Sequence, residues 1–594
     1  MSSPPSSSRR LSLSSVRFVA WVLPFALVAC SSANQSTAND GGKGTGDDGT
    51  PDGSTLEPDG AVIGPDGAAL GDGAGPGDAL CSVTSQGTAG VVLSGTLLLG
   101  TGPTVGELFI GAAGTIACAA ASCAATAGYA AATQIACPNG VISPSLVNTH
   151  DHTEYATRGP ETLPTTRYQH RNDWRLGDDG ATALPKVSST TDAPTIAAQE
   201  LRFVMGGATS VIGSGGVGGL MRNLADYSNQ AFLEGLTGKV VHFDTFPMGD
   251  SSLKTLINSG CAYPSITATG TAFEDGVYAP HIAEGINLGA ENELTCANQT
   301  TNQLITANTS VIHGVGTNAN DVAKIATAGA KLIWAPRSNI SLYGDTAPVT
   351  EYHTAGVTIA LGTDWLASGS MNMLRELSCA DSMNQKYFHQ TFTDQELWEM
   401  VTKNAGIASG FGAQIGTLDV GKVGDVAVFD GTTNTSYRAV IAAGNEDVHL
   451  VLRGGKVLYG DANLVSALSS TCTALTVCGI ARSVCVDTPS VTLAQIQAIG
   501  TSVYPIFSCK GTTPTNEPSC VPYRDTYPNG TSATDGDGDG VPDSTDDCPT
   551  IFNPPRPMDN ANDPDGGAPT AQADVDGDGV GDVCDAKPLD NTAH

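Results

Sequence analysis

Aromatic side chains make up only 6% of this 594-residue chain, and basic ones are also few, 28 Lys and Arg against 60 Asp and Glu. The resulting net charge of −32 argues against a nucleic-acid or anionic-lipid surface, because displacing counterions from phosphates takes Lys and Arg. Divalent cations are the better-matched partners. Paired Cys-x-x-Cys spacing is absent, which argues against a zinc ribbon. What is plentiful is Gly (71) and Pro (33), in long stretches that cannot pack a core. The length exceeds one ordinary domain, so the middle of the chain must carry one large folded unit, with appendages at both ends.

Arg9, Arg10 and Arg17 precede the apolar run from Phe18 to Ala29, which is too short to span a bilayer comfortably and reads as an export signal over 1–30. It closes on Leu27-Val28-Ala29-Cys30, which resembles the lipobox of bacterial lipoproteins. That resemblance implies lipidation of Cys30, a membrane-anchored exported protein and, with Ser31 next, sorting to the outer membrane, facing the periplasm or the cell surface. The alternative is a plain secretory signal. Residues 31–86 repeat Pro-Asp-Gly among Ser and Thr and read as a disordered tether. Setting Cys30 aside leaves an even number of the 15 cysteines, which in an exported chain favours disulfides. Cys118, Cys123 and Cys137, with Cys472, Cys478, Cys485, Cys509 and Cys520, read as staples of peripheral segments.

Short β-like runs separated by Gly turns fill 87–140. From Val141 the pattern becomes apolar strand, polar loop, helical segment, repeated, as in an α/β protein with a parallel (β/α)8 TIM-like barrel, here placed over 141–410. In such a barrel chemistry gathers where strands end. The run Val141 to Thr149 ends in His150-Asp151-His152, and Val277 to Pro280 in His281 with Glu284 beyond. Thr309 to Ile312 ends in His313, Ala330 to Ala335 in Pro336-Arg337-Ser338-Asn339, and Val357 to Thr363 in Asp364. Alternate residues of a strand share a side, so His150 and His152 can grip one ion together. Two polar residues at a strand end mean little alone. Further ionisable residues at later strand ends change that, because a barrel brings those ends to one rim.

Leu146-Val-Asn-Thr-His-Asp-His152, His281-x-x-Glu284, His313, Pro336-x-Ser-Asn339 and Leu361-Gly-Thr-Asp-Trp365 resemble, in order, motifs of the amidohydrolase superfamily, in its deaminase and triazine-chlorohydrolase branch. Thr402-x-Asn404-Ala405 and the stretch Ile415 to Asp430 resemble that family's closing segment, where the chain returns to a small composite β-sandwich (87–140 with 411–465). The resemblance covers about 87–465. It implies one Zn or Fe held by His150, His152, His281 and Asp364, with a position open for water, whose pKa falls towards neutral. It further implies that Glu284 shuttles protons, that His313 polarises the group under attack, and that Asp364 also accepts the water's proton. Asn339 is a candidate substrate contact, while Arg337 and Trp365 fit packing equally well. Binuclear members carry a bridging Lys at the end of the fourth strand. Lys186 follows a Pro, Lys239 precedes an apolar run and Lys254 sits in a helical pattern, so none fits and one metal is expected.

Gly213-x-Gly215-x-x-Gly218 matches a dinucleotide-binding pattern, but only a weakly apolar segment follows it, inside the barrel frame; a barrel loop accounts for it better. After a Cys-rich extension (466–530), residues 531–594 carry Asp535, Asp537, Asp539, Asp543 and Asp546, then Asp574, Asp576, Asp578, Asp582 and Asp585, with Gly at the bends. Both copies resemble thrombospondin type 3 repeats, which implies a calcium-binding tail and pairs Cys548 with Cys584. The stretch Arg556 to Ala571 lengthens the usual interval between copies. The leading expectation is therefore a hydrolase of non-peptide C–N bonds, deaminating a small nitrogenous ring. A binuclear amide or dipeptide hydrolase, and a calcium-binding adhesion protein with an inactive barrel, are the alternatives. Specificity is assigned to loops such as Glu154 to Ala193.

Overall fold

The computed structural model describes residues 80–225, 230–299, 301–486, 488, 490–559 and 571–592. The export signal, Cys30, most of the tether and much of the 556–571 stretch lie outside them. All the described residues belong to one compact unit, 76–594.

Eight parallel strands pair in chain order: β1 (Leu146–Asp151), β2 (Ala208–Gly213), β3 (Arg222–Asn223), β4 (His242–Asp244), β5 (Tyr278–Ile282), β6 (Ser310–His313), β7 (Lys331–Trp334) and β8 (Thr358–Leu361). Parallel bridges join Ala225 to Val241, between β3 and β4, and Asp151 to Asp364, which brings the end of β8 back to β1. The pairings thus close into a ring. Val147, Ile212, Phe243, Ala279, Ile312, Ile333 and Ala360 come from seven of these strands and form one buried cluster. Their alternate neighbours Leu146, Val211, Tyr278, Val311, Leu332 and Ile359 belong to the cluster that takes in the surrounding helices. A strand buried on both faces reads as a continuous apolar run, which is the pattern seen in the sequence.

The helices that matter below are α1 (Arg171–Leu176), α2 (Ala193–Met205), α3 (Leu288–Ala297), α4 (Ala319–Ala328), α5 (Pro336–Tyr343) and α6 (Met373–Lys386). Asn287 and Asn318 cap α3 and α4 through side-chain bonds to Ala290 N and Asp321 N. Gly213 closes β2, and Ser214 to Gly218 lie in a loop that leads to β3 with no helix between, so there is no helix N-terminus to hold a pyrophosphate.

Several boundaries differ from those read in the sequence. The run beginning at Val141 is two strands, Thr133–Pro144 and β1, parted at Ser145. Both are buried throughout the apolar stretch, so hydrophobicity does not mark the break. The ring therefore starts at Leu146. Ordered structure begins before residue 87, because Ser82–Ser85 pairs with Thr133–Pro144 and Cys81 is bonded to Cys137. The expected sandwich is one hydrogen-bonded sheet of ten strands, in which Val426–Asp430 runs antiparallel to Thr133–Pro144 and joins the two chain segments. Its far edge is Thr473–Val477 and Ile480–Val484, so the sheet takes in part of the Cys-rich extension. Lys254 lies among turns and bends, not in a helix.

Every cysteine among the described residues is in one of seven disulfides. Cys548 pairs with Cys584, but the staples are not all peripheral: Cys379 of α6 is bonded to Cys520 of the extension. Among the described residues no helix is long and apolar enough to cross a membrane.

Candidate active site

His150 lies in β1 and His152 just after it, with Asp151 directed elsewhere: its carboxyl accepts bonds from Thr363 (2.7 Å) and Gln199 (3.4 Å). Burial pushes the Asp151 carboxyl well above its usual range. His281 sits in β5, and its Nδ1–H donates to the Asp244 carbonyl at the end of β4 (3.0 Å). With the proton held there, the Nε2 lone pair points inward and meets His152 Nε2 at 3.3 Å. Asp364, just past β8, has Oδ1 at 3.1 Å from His150 Nε2 and 3.6 Å from His152 Nε2. Asp364 and His313 both hold positive φ (+64° and +75°), backbone strain of a kind that gathers at functional sites.

Two overlapping triplets have donor atoms close enough to share an ion: His150, His152 and His281, and His150, His313 and Asp364. Burial holds all three predicted histidine ligands below the ordinary imidazole range, His152 down to about 3, so each offers a neutral nitrogen. Burial alone raises the Asp364 pKa, but the His150 hydrogen bond and the surrounding imidazoles outweigh it and keep the group an anion. Neutral nitrogens and one carboxylate converge in a buried space, and this mixed donor set suits Zn or Fe. No Lys stands at the end of β4, which closes on Asp244.

Glu284 follows β5 after Ala283, whose φ is +57°. Its Oε1 accepts the Tyr343 hydroxyl (2.8 Å), and its Oε2 faces His313 Nε2 at 3.6 Å and Arg171 Nη1 at 4.0 Å. The next residue must be Gly: a Cβ on Gly285 would lie 2.4 Å from the Gln169 carbonyl, where the chain entering α1 crosses. Arg171 is neutralised by Asp250 (2.7 Å) and Glu293 (3.0 Å).

Asn339 Nδ2 lies 3.2 Å from His313 Nδ1, where it can orient that histidine, and its buried Oδ1 has no hydrogen-bond partner. Its replacement by Ala is expected to lower kcat about 10–100-fold, as removing partners that orient site histidines generally does. Steady-state kinetics at constant metal content would check this. Arg337 points away, towards Ser370 and Glu517, whereas Trp365 lines the cleft and tilts against Trp174 at 5.3 Å.

Ser338, which donates to Asp364 Oδ2, is given no role by the strand-end rule, and Tyr343 and Arg171 are not reached by it. Ser338 stands inside a recognised motif, and Tyr343 lies one helical turn beyond Asn339, a spacing that could have flagged it. Arg171 opens α1, a helix of only six residues, too short to give a periodic signal. His152, His281, Glu284, His313 and Asp364, with Arg171, line a cavity of about 740 Å³, the size of a small-molecule site, whose wall includes Tyr155, Trp174, Arg175 and Lys186 from the 154–193 loop.

A second concentration of polar groups lies in the C-terminal segment, where Asp535, Asp537 and Asp539 converge, as do Asp574, Asp576 and Asp578. Burial and neighbouring carboxylates push Asp537 up to about 8, and burial pushes Asp539 up to about 7. The Oδ2 atoms of Asp537, Asp582 and Asp585 are buried without a hydrogen-bond partner.

Residues 266–458 match the profile of the Amidohydrolase family. A 5-methylthioadenosine/S-adenosylhomocysteine deaminase of Pyrococcus abyssi is 30% identical over 165 residues, 26% of this chain and 38% of the relative. Those of Teredinibacter turnerae (35% over 130 residues) and Halobacterium salinarum (34% over 160) align over 21% and 25% of this chain and 29% and 36% of their own lengths. The chain thus spans less than two-fifths of each of these relatives. Among solved structures, zinc-complexed atrazine chlorohydrolase TrzN from Arthrobacter aurescens is similar at 16% identity and a TM-score of 0.44, over 69% of this chain and 99% of that one.

Proposed function

We propose that this chain is a metal-dependent hydrolase of the amidohydrolase superfamily, built on a (β/α)8 barrel and acting on a non-peptide C–N bond, with deamination of a small nitrogenous ring as its reaction. One observation carries the reading: Glu284 and His313 face each other beside the His150, His152, His281 and Asp364 donor set, on the floor of a cavity of ligand size. The family match and the deaminase names of the curated relatives support it.

A single Zn or Fe held by those four residues would supply Lewis acidity and acidify a water. The protein's own groups do the rest. Glu284 takes a proton from the attacking water and returns it to the ring nitrogen or to the departing amine, while Tyr343 holds Oε1 and leaves Oε2 turned towards His313. His313, fixed by Asn339, polarises the group under attack. Asp364, kept anionic, accepts the second proton and gives it up to the departing amine, which leaves as ammonia. The aromatic wall of Trp174, Trp365 and Tyr155 suits a planar ring.

The test is metal analysis of the purified protein together with ammonia release from a panel of purines, pyrimidines and acyl-amino acids. About one Zn or Fe per chain with ammonia from a ring substrate is the expected result. Two metals per chain with carboxylate released from an amide would sink the reading in favour of a binuclear amidase.

Two further assignments belong to the same proposal. Calcium occupies the two carboxylate clusters of the C-terminal segment, where it would satisfy the unpartnered oxygens of Asp537, Asp582 and Asp585. Calorimetric titration with calcium is expected to give about two sites per chain, and Asp537→Asn to weaken one of them. Heat absent on titration of a chelator-stripped sample would refute both sites. The protein is exported and lipid-anchored through Cys30, with the enzyme carried on its tether; a disulfide-rich fold is consistent with an oxidising compartment. Metabolic labelling with a fatty acid, lost on Cys30→Ser, would test the anchor.

A further inference from the structure

We infer that the C-terminal extension is part of the catalytic apparatus: residues 517–527, with Arg556, clamp helix α5 and thereby position Glu284, His313 and Asp364. The inference rests on the proposed reading of that site.

Helix α5 reaches all three groups at once. Ser338 donates to Asp364, Asn339 meets His313, and Tyr343 donates to Glu284. All eight residues of the helix are buried, yet eight residues are too few for a helix to hold itself in water. Its axial position must come from what packs on its ends, and a shift of about 1 Å at such contacts can cost about 100-fold in rate.

The extension grips both ends. Near the N-terminus, Arg337 donates to the Pro518 carbonyl and lies 3.4 Å from Glu517, which also binds Arg375 of α6 (2.7 Å). At the C-terminus the last carbonyls of any helix lack partners within it. Here Arg524 supplies one, donating to Tyr343 O (2.6 Å), while Tyr523 N (3.2 Å) and the Tyr527 hydroxyl (3.3 Å) donate to Gly344 O. A cation at that end also suits the helix dipole. Gly344 has φ +73°, and a Cβ there would lie 2.2 Å from the Tyr523 carbonyl, so the approach of the extension requires glycine.

One residue further on, Arg556 holds Asp345 through two bonds of 2.9 Å. Arg524 also donates to Tyr168 O (2.9 Å), and Tyr168 N in turn donates to Leu342 O (3.0 Å). One guanidinium therefore ties α5 to the strand of chain that leads into Arg171. The Cys379–Cys520 disulfide fastens the extension to α6 beside it.

Tyr343 is the link through which Arg524, a positioning residue, reaches Glu284, and that link can be tested in the full-length metal-loaded protein. Arg524→Ala, Tyr343→Phe and the double variant are compared by hydrogen–deuterium exchange and by steady-state kinetics on a ring substrate that releases ammonia. Arg524→Ala is expected to speed exchange of the 337–343 amides about tenfold while α4 is unchanged, and to lower kcat about tenfold with KM within about twofold. In the Tyr343→Phe background the same change is expected to cost less than about threefold, because the path to Glu284 is already cut. Arg524→Lys, which keeps the cation and one donor, should restore most of kcat.

Unaltered exchange in 337–343, or kcat losses that simply multiply, would overturn the inference. If Arg524→Ala fails to fold, Tyr527→Phe removes a single bond to Gly344 and carries the same comparison. Faster exchange in a protein that releases no ammonia from any substrate would sustain the clamp and sink the proposed reaction instead.

Discussion

Replacing Glu284 with Gln is expected to lower kcat by about 10²–10⁴-fold, roughly 3–5 kcal/mol of transition-state stabilisation, with metal content unchanged. Gln keeps the side-chain volume, and its carbonyl oxygen still accepts the Tyr343 hydroxyl now bonded to Oε1 at 2.8 Å. What it loses is the ability to take up a proton and give it back. The surrounding charge balance should tolerate the change. Arg171 stands 4.0 Å from Glu284 but makes its short contacts with Asp250 and Glu293, so it is not left as an unpaired buried cation. None of the four proposed metal ligands touches Glu284, so metal analysis serves as the control. Turnover within tenfold of the native protein would remove Glu284 from the proton path and shift attention to His313, the next group able to carry a proton.

The rim of the site was legible because a parallel ring puts its chemistry where apolar runs stop. His150, His281 and His313 lie at the ends of β1, β5 and β6, and His152 and Asp364 follow β1 and β8 within three residues. That rule depends only on local pattern. It fails where two buried elements meet without a polar gap, as at Ser145, because both neighbouring strands are apolar for the same reason. It also fails for Tyr343 and Arg171, whose partners are brought to them by the fold, and for the extension. Cysteine spacing and acidic repeats marked residues 466–594 as separate modules. Yet Arg524, Arg556 and Cys520 join them to the ring over separations of 141 residues or more, and no periodicity encodes such a contact.

Replacing His281 with Ala is expected to strip the metal and abolish measurable turnover, the largest effect available from one side chain. Losing a partner that merely orients a ligand costs about 10–100-fold in metal affinity, and losing the ligand itself should cost more. The geometry leaves this histidine little other use. Its Nδ1 proton is committed to the Asp244 carbonyl, its Nε2 faces His152 at 3.3 Å, and burial keeps the ring uncharged, so it cannot act as an ion-pair partner for Asp364. Metal analysis after gel filtration would read the loss, and the melting temperature should fall as well, since an ion bound only by the folded state stabilises it. The expectation has a definite rival. His313 shares the second triplet with His150 and Asp364. If the His281→Ala protein kept its full metal and its activity, the ion would be held by that triplet, and His313 would be a ligand with no role in polarising the substrate.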